Sequence, residues 1–208
     1  MAEIVTVQAG ALATNCHLIG DPTTRKCVVV DAGGDPARIA EAIEATGWTV
    51  EYILATHGHA DHTGAVAGIL ETFGGRFAAG RADVDLIMNP PEWLVEVLLD
   101  FRQPPQPEVL LDGGETVCVG RSEIKVLATP GHTPGSICYL VEEVVLTGDT
   151  LFKGSIGRYD LPGGDGDQEL ASITGVLMSL NDSVEVRPGH GPSTTIGQER
   201  RSNPFLRS

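Results

Sequence analysis

Thr56-His57-Gly58-His59-Ala60-Asp61-His62 is a His-x-His-x-Asp-His cluster, and the rest of the chain is best read outward from it. Imidazole and carboxylate are the donors from which proteins build sites for Zn²⁺ and its neighbours. In a chain with 6 histidines among 208 residues, the pattern arises by chance with a frequency on the order of 3 in 10,000. The apolar run Val50 to Ala55 reads as a buried strand, so His57 and His59, two apart at its end, are expected on one side, with Asp61 and His62 at the turn into a helix. Val66, Ile69, Leu70 and Phe73 then repeat at helical spacing until Gly74-Gly75 stops them, which places a helix behind the cluster.

Upstream, short strands are expected at Ile4 to Val7, Cys16 to Ile19 and Cys27 to Asp31. A helix follows, with Asp35 as N-cap, Pro36 at its first position, Ile39 and Ile43 as the apolar stripe and Gly47 at its end. From Arg81 to Pro107 prolines interrupt a helical pattern around Leu94, Val97 and Leu98. This stretch either caps a pocket or packs Trp93 and Phe101 on the sheet as a surface helix. Strands recur at Thr116 to Val119, Ile124 to Leu127, Ser136 to Val141 and Val144 to Leu146, then a helix with Leu170, Ile173, Val176 and Leu177, then a strand at Val184 to Val186. The order suggests an α/β chain of two sheets packed face to face with helices outside.

Composition narrows the function. The formal net charge of −14 and pI of about 4.7 argue against nucleic acid, which is held by clustered Lys and Arg. Bound cations would make a cleft locally positive, so a small anionic substrate stays acceptable. No stretch has the length of a membrane span and the start lacks a secretory pattern, so a cytoplasmic protein without membrane contact is expected. Cys16, Cys27, Cys118 and Cys138 are scattered and read as free thiols. No domain boundary shows, so residues 1–208 are taken as one domain; no oligomeric state can be read.

Three further segments carry ligand-type residues after strands and beside glycine, which permits sharp turns: Thr129-Pro130-Gly131-His132, Thr147-Gly148-Asp149-Thr150 and Pro188-Gly189-His190-Gly191. In this order with the first cluster, they resemble the metallo-β-lactamase fold superfamily. Gly157-Arg158-Tyr159-Asp160-Leu161-Pro162-Gly163-Gly164-Asp165, the segment from Gly191 to Arg200, Asn203-Pro204-Phe205 and Asn15-Cys16-His17 are similar to the short glyoxalase II-like hydrolases.

The resemblance implies an αββα sandwich of two mixed β-sheets flanked by helices, with two divalent metal ions: Zn²⁺ first, Fe or Mn²⁺ as alternatives. It implies that His57, His59 and His132 hold one metal, that Asp61, His62 and His190 hold the second, and that Asp149 bridges them. Asp61 is also expected to orient the attacking hydroxide, and Arg158 and Tyr159 to contact substrate, although Asp160 stands where the family has its tyrosine. His17 reads as structural, and Asp31 as fixing a turn. A thiolate, with a conjugate-acid pKa near 8.5, leaves without a strong general acid, whereas an amide nitrogen must first be protonated. The expected enzyme is therefore a thioester hydrolase acting on S-D-lactoylglutathione or a related acyl-thiol, without the helical carboxy-terminal domain of full-length glyoxalase II. A mononuclear iron persulfide dioxygenase is the alternative, and a lactonase or other metallo-β-lactamase-fold hydrolase a further one.

Overall fold

A computed structural model describes residues 1–207. The first sheet has the spatial order β1 (Glu3–Ala9), β2 (Thr14–Asp21), β3 (Lys26–Val30), β4 (Thr49–Leu54), β5 (Arg76–Gly80) and β6 (Val109–Leu111). Its first three strands are antiparallel, and β3 to β6 are parallel. Parallel neighbours need crossovers, and the helices supply them: α1 (Pro36–Thr46), the single turn α2 (Ala60–Thr63), α3 (Val66–Phe73), α4 (Val84–Met88) and α5 (Glu92–Val95). The second sheet contains β7 (Thr116–Val119), β8 (Ser122–Ala128), β9 (Ile137–Val141), β10 (Val144–Gly148), β13 (Glu185–Pro188) and β14 (Thr194–Thr195). It is antiparallel except where β10 meets β13. The small hairpin β11 (Leu151–Phe152) and β12 (Ser155–Ile156), α6 (Gly166–Gly175) and α7 (Ile196–Ser202) complete the chain.

Strand alternation divides the apolar residues among three layers. Along β3, Cys27 and Val29 face α1 and α3 with Ile39, Ile43, Ile69 and Phe77. Val28 and Val30 face the second sheet, with Leu54, Val126, Tyr139 and Leu146. The outer face of the second sheet packs Val145 and Val186 against Ile173, Leu177 and Ile196. A strand covered on both faces must be apolar throughout, which is why Cys27-Val28-Val29-Val30 shows no polar alternation. Helix α1 has the expected caps: the Asp35 carboxylate accepts from Arg38 N, and Gly47 takes a left-handed φ of 63°. Fully buried Ile39 and Ile43 each contribute roughly 1.5–3 kcal/mol.

The expected architecture is present: two mixed sheets between helical layers. Strands β5, β6, β11, β12 and β14 and helix α7 were not expected. Between 81 and 107 the helical pattern yields only the short α4 and α5, because Pro90-Pro91 separates them. The stretch borders a cleft, but the alternative expectation, Trp93 and Phe101 packed on the sheet, is not met: neither residue belongs to the clusters on the first sheet. Phe101 packs with Ala60, Leu94 and Leu98, whereas Trp93 is half-exposed at a cleft. Among the described residues, no helix is long and apolar enough to cross a membrane.

Candidate metal centre

Every ligand-type residue follows the carboxy-terminal end of a strand. Strand β4 stops at Leu54, one residue earlier than expected, so His57 and His59 stand in the loop entering α2, which carries Asp61 and His62. His132 follows β8, Asp149 follows β10, and His190 follows β13. The two sheets are joined at this end: Ile137 N donates to Thr56 O at 2.8 Å, and the buried Tyr139 hydroxyl donates to Ala55 O at 2.9 Å.

The fold brings all seven side chains together. His57, His59 and His132 form one group of donors; Asp61, His62 and His190 form a second; His57, His62 and Asp149 form a third between them; within each group the donor atoms lie within 4.8 Å of one another. Nε2 of His132 is 3.0 Å from Nδ1 of His59, and Nε2 of His62 is 3.2 Å from Nε2 of His190. Asp149 faces both sets, with Oδ2 at 3.8 Å from His132 Nε2 and Oδ1 at 3.4 Å from His62 Nε2 and 3.7 Å from His190 Nε2. Asp61 Oδ2 lies 3.2 Å from His190 Nε2.

The outer partners of the rings decide which nitrogen is free. Carbonyl oxygens only accept, so His132 donates its Nδ1–H to Arg158 O at 2.7 Å, and His190 donates its Nδ1–H to Leu12 O at 3.1 Å. Both rings therefore turn an Nε2 lone pair inward. His57 Nδ1 meets the Thr56 hydroxyl at 3.1 Å. Its Nε2, together with Asp149 Oδ1, is buried without a hydrogen-bond partner, a condition costing about 1–3 kcal/mol per group unless something else engages the lone pair. The donor set, its orphaned atoms and its inward lone pairs fit a pair of divalent cations.

Charge divides the site. Burial, then the neighbouring imidazoles, holds His57 well below the ordinary histidine value; burial and His132 lower His59 to about 4. These rings are neutral near pH 7, the form that donates to a metal. Around His62 burial opposes the proton, but Asp31, Asp149 and Asp61 outweigh it and raise the pKa. His190 is raised against burial by its contact with Asp61. Burial disfavours ionised Asp149 and Asp61, yet the histidines, His62 foremost, keep both below the usual carboxylate range.

A cleft of about 210 Å³ opens onto the centre, lined by His59, Asp61, His132, Asp149 and His190 with Leu12, Trp93, Leu94, Leu161 and Arg158. Arg158 is at the rim, its guanidinium forked on Asp160 at 2.9 Å through two contacts. Tyr159 is not among the lining residues; its ring lies over Gly166, where an added Cβ would come within 2.9 Å of it. His17 belongs to none of the donor groups: it is buried on β2, Nδ1 is 3.0 Å from Thr6 Oγ1, and burial lowers it to about 4.

Four buried polar residues support the loops, and sequence reasoning assigned such a role only to Asp31. Asp31 accepts from Thr56 N at 2.7 Å and Thr56 Oγ1 at 2.9 Å. The Asn15 amide donates to Pro188 O and Gly191 O, each at 2.9 Å, and so holds the His190 loop. Glu169 accepts from His132 N at 2.7 Å, and burial pushes its carboxyl up to about 8. Asp83 joins the first two histidine loops. Asn15 was visible as part of Asn15-Cys16-His17; Asp83 and Glu169 carry no local pattern, since their partners lie 25 to 52 residues away.

Residues 9–190 match the Metallo-beta-lactamase superfamily. Hydroxyacylglutathione hydrolase GloC of Haemophilus influenzae is 38% identical over 210 residues, covering 99% of this chain and 98% of that protein. The crystal structure of BLEG-1 B3 metallo-beta-lactamase superposes with a TM-score of 0.91 at 33% identity, over 99% of this chain and 100% of that one. That of TTHA1623 in a di-iron-bound form gives 0.88 at 37% identity, over 97% and 100%. With its fold, its ordered motifs and these likenesses in agreement, the chain belongs to the metallo-β-lactamase superfamily.

Proposed function

We propose that the protein is a dinuclear metal-dependent thioester hydrolase that cleaves S-D-lactoylglutathione or a related acyl-thiol. The observation carrying this reading is the Asp149 carboxylate, which turns one oxygen toward His132 and the other toward His62 and His190. His57, His59 and His132 would hold one ion, Asp61, His62 and His190 the other, with Asp149 shared. Two bound divalent cations, Zn²⁺ first and Fe or Mn²⁺ as alternatives, would supply a water of lowered pKa and Lewis-acid polarisation of an acyl carbonyl; TTHA1623, whose structure is a di-iron-bound form, favours considering iron.

The chain's own residues do the rest. Asp61, 8% exposed at the cleft floor, accepts a hydrogen bond from the nucleophile and aims it. Leu12, Trp93, Leu94 and Leu161 exclude water from the acyl group, and Arg158 offers a cation at the rim to the thiol carrier. Beyond the proposed ligands, Arg158 is the one ionisable residue lining the cleft among the described residues, and a guanidinium is too weak an acid to protonate an amide leaving group. A thiolate needs no such acid. The name of the Haemophilus relative supports the same substrate class. The small cleft and acidic surface suit a small-molecule substrate rather than nucleic acid or membrane, and the unpaired cysteines suit the cytoplasm.

The test is hydrolysis of S-D-lactoylglutathione by Zn²⁺-loaded protein beside the His59→Ala and Asp149→Ala variants. Loss should reach at least the ~100-fold seen when mere outer-shell partners of metals are removed. Activity surviving both substitutions, or one iron per chain with oxygen uptake on glutathione persulfide, overturns the reading.

A further inference from the structure

Asp83 follows β5 and is fully buried, yet it contacts no substrate cleft and belongs to no donor group. Its carboxylate is filled by three donors from two loops. Oδ2 accepts from Gly58 N at 2.7 Å and from the Thr133 hydroxyl at 2.7 Å; Oδ1 accepts from Gly135 N at 2.7 Å. Gly58 separates His57 from His59, and Thr133 is the residue after His132. One buried side chain therefore ties together the two loops that supply the three-histidine group. None of its hydrogen bonds reaches the loops of Asp149 or His190.

The two glycines make room for this approach. A Cβ on Gly135 would come within 2.6 Å of Asp83 Cγ, and one on Gly58 within 3.0 Å of Asp83 Cβ. The absence of side chains at these positions has a cause that the histidine spacing alone does not supply. Three converging donors also require a carboxylate. An asparagine offers one acceptor oxygen and turns an NH₂ toward either Gly58 N or Gly135 N, so at least one of the three contacts is lost and two donors are set against each other.

We infer that Asp83 is the positioning residue of the His57, His59 and His132 group: it sets the separation of the two loops, and thereby that group's affinity for a divalent metal, without touching metal or substrate. The inference rests on reading the donor groups as metal sites.

The experiment separates the two groups before perturbing either. The full chain with His190→Ala retains the three-histidine group; the full chain with His132→Ala retains Asp61, His62 and His190. Zn²⁺ affinity is measured in both backgrounds by chelator competition, with circular dichroism and a urea midpoint confirming folding. Adding Asp83→Asn should weaken Zn²⁺ binding about 10–100-fold in the first background, the usual consequence of losing an outer partner, and less than about threefold in the second. Gly135→Ala, which pushes the carboxylate aside, should reproduce the same split and serves where Asp83→Asn fails to fold. Equal losses in both backgrounds, or none in either, overturn the inference alone. Failure of the unaltered protein to bind Zn²⁺ overturns the metal reading together with it.

Discussion

Oδ2 of Asp31 stands 3.0 Å from Nδ1 of His62, with both side chains buried. The approach is off the line of the ring N–H, since Nδ1 gains no aligned hydrogen bond, so the attraction is between charges. The same carboxylate accepts from the backbone and hydroxyl of Thr56, and Asp31 itself adopts a left-handed φ of 59°. A single residue thus ends β3, starts the histidine loop and sets the charge on α2.

Asp31→Ala should destabilise the fold by roughly 2–4 kcal/mol, combining about 1–3 kcal/mol for buried partners left unpaired with about 1 kcal/mol of left-handed backbone strain. Asp31→Gly loses the same partners without the strain. Urea unfolding should place the glycine variant about 1 kcal/mol above the alanine variant; equal stabilities would show that the backbone conformation is not being held against its preference.

Chelation should lower thermal stability. A ligand at a hundredfold excess over its Kd stabilises a native state by about 2.7 kcal/mol, and each kcal/mol moves Tm by about 2–4 °C in a chain of this size. Differential scanning of Zn²⁺-loaded protein with and without chelator should show a fall of about 5–10 °C, and a protein lacking His57, His59 and His132 together with Asp61, His62 and His190 should show none.

Asp21 gives a pH signature remote from the centre. Hydrogen bonds from Arg121 N, then from the Thr23 and Thr24 segment, hold its carboxyl down at about 2. Because the folded value is below the unfolded one, the stabilisation is complete above about pH 4 and disappears as pH falls toward 2. Asp21→Ala should have a lower urea midpoint than the unaltered protein at pH 7, with the gap closing between pH 4 and 2. A gap that persists at pH 2 would assign the effect to packing instead.

Freeing Arg158 should favour anionic carriers. The Nε and Nη2 edge of its guanidinium is engaged by Asp160, so Asp160→Asn should raise kcat/KM for a carboxylate-bearing acyl-thiol by about two- to fivefold, the modest scale of an exposed ion pair. A neutral acyl-thiol should be unaffected, and an equal gain on both substrates would remove Arg158 from carrier recognition.

The architecture and the gathering of seven side chains were legible because motif order carried them: each ligand-bearing segment contains a glycine and follows an apolar run, and strand ends converge on one edge. What escaped was short or distant. Residues 76–80 and 109–111 become strands only because β4 and one another pair with them, and Arg76-Phe77-Ala78-Ala79-Gly80 has little intrinsic strand preference. Asp83 and Glu169 resemble ordinary helix-start acids until the backbone N–H groups that they receive are brought in from remote loops. Tyr159 illustrates the opposite limit: adjacency to Arg158 in sequence says nothing of which way its ring leans.

Each three-membered donor group draws on both halves of the molecule: His132 joins His57 and His59, Asp149 joins His57 and His62, and His190 joins Asp61 and His62. A nascent chain that has completed only its first sheet therefore owns half a chelate. With the donor groups read as metal sites, ion capture would be a late event that rewards correct docking of the second sheet, and cutting the backbone in the 112–115 turn would yield two fragments whose reassembly could be followed by Zn²⁺ uptake.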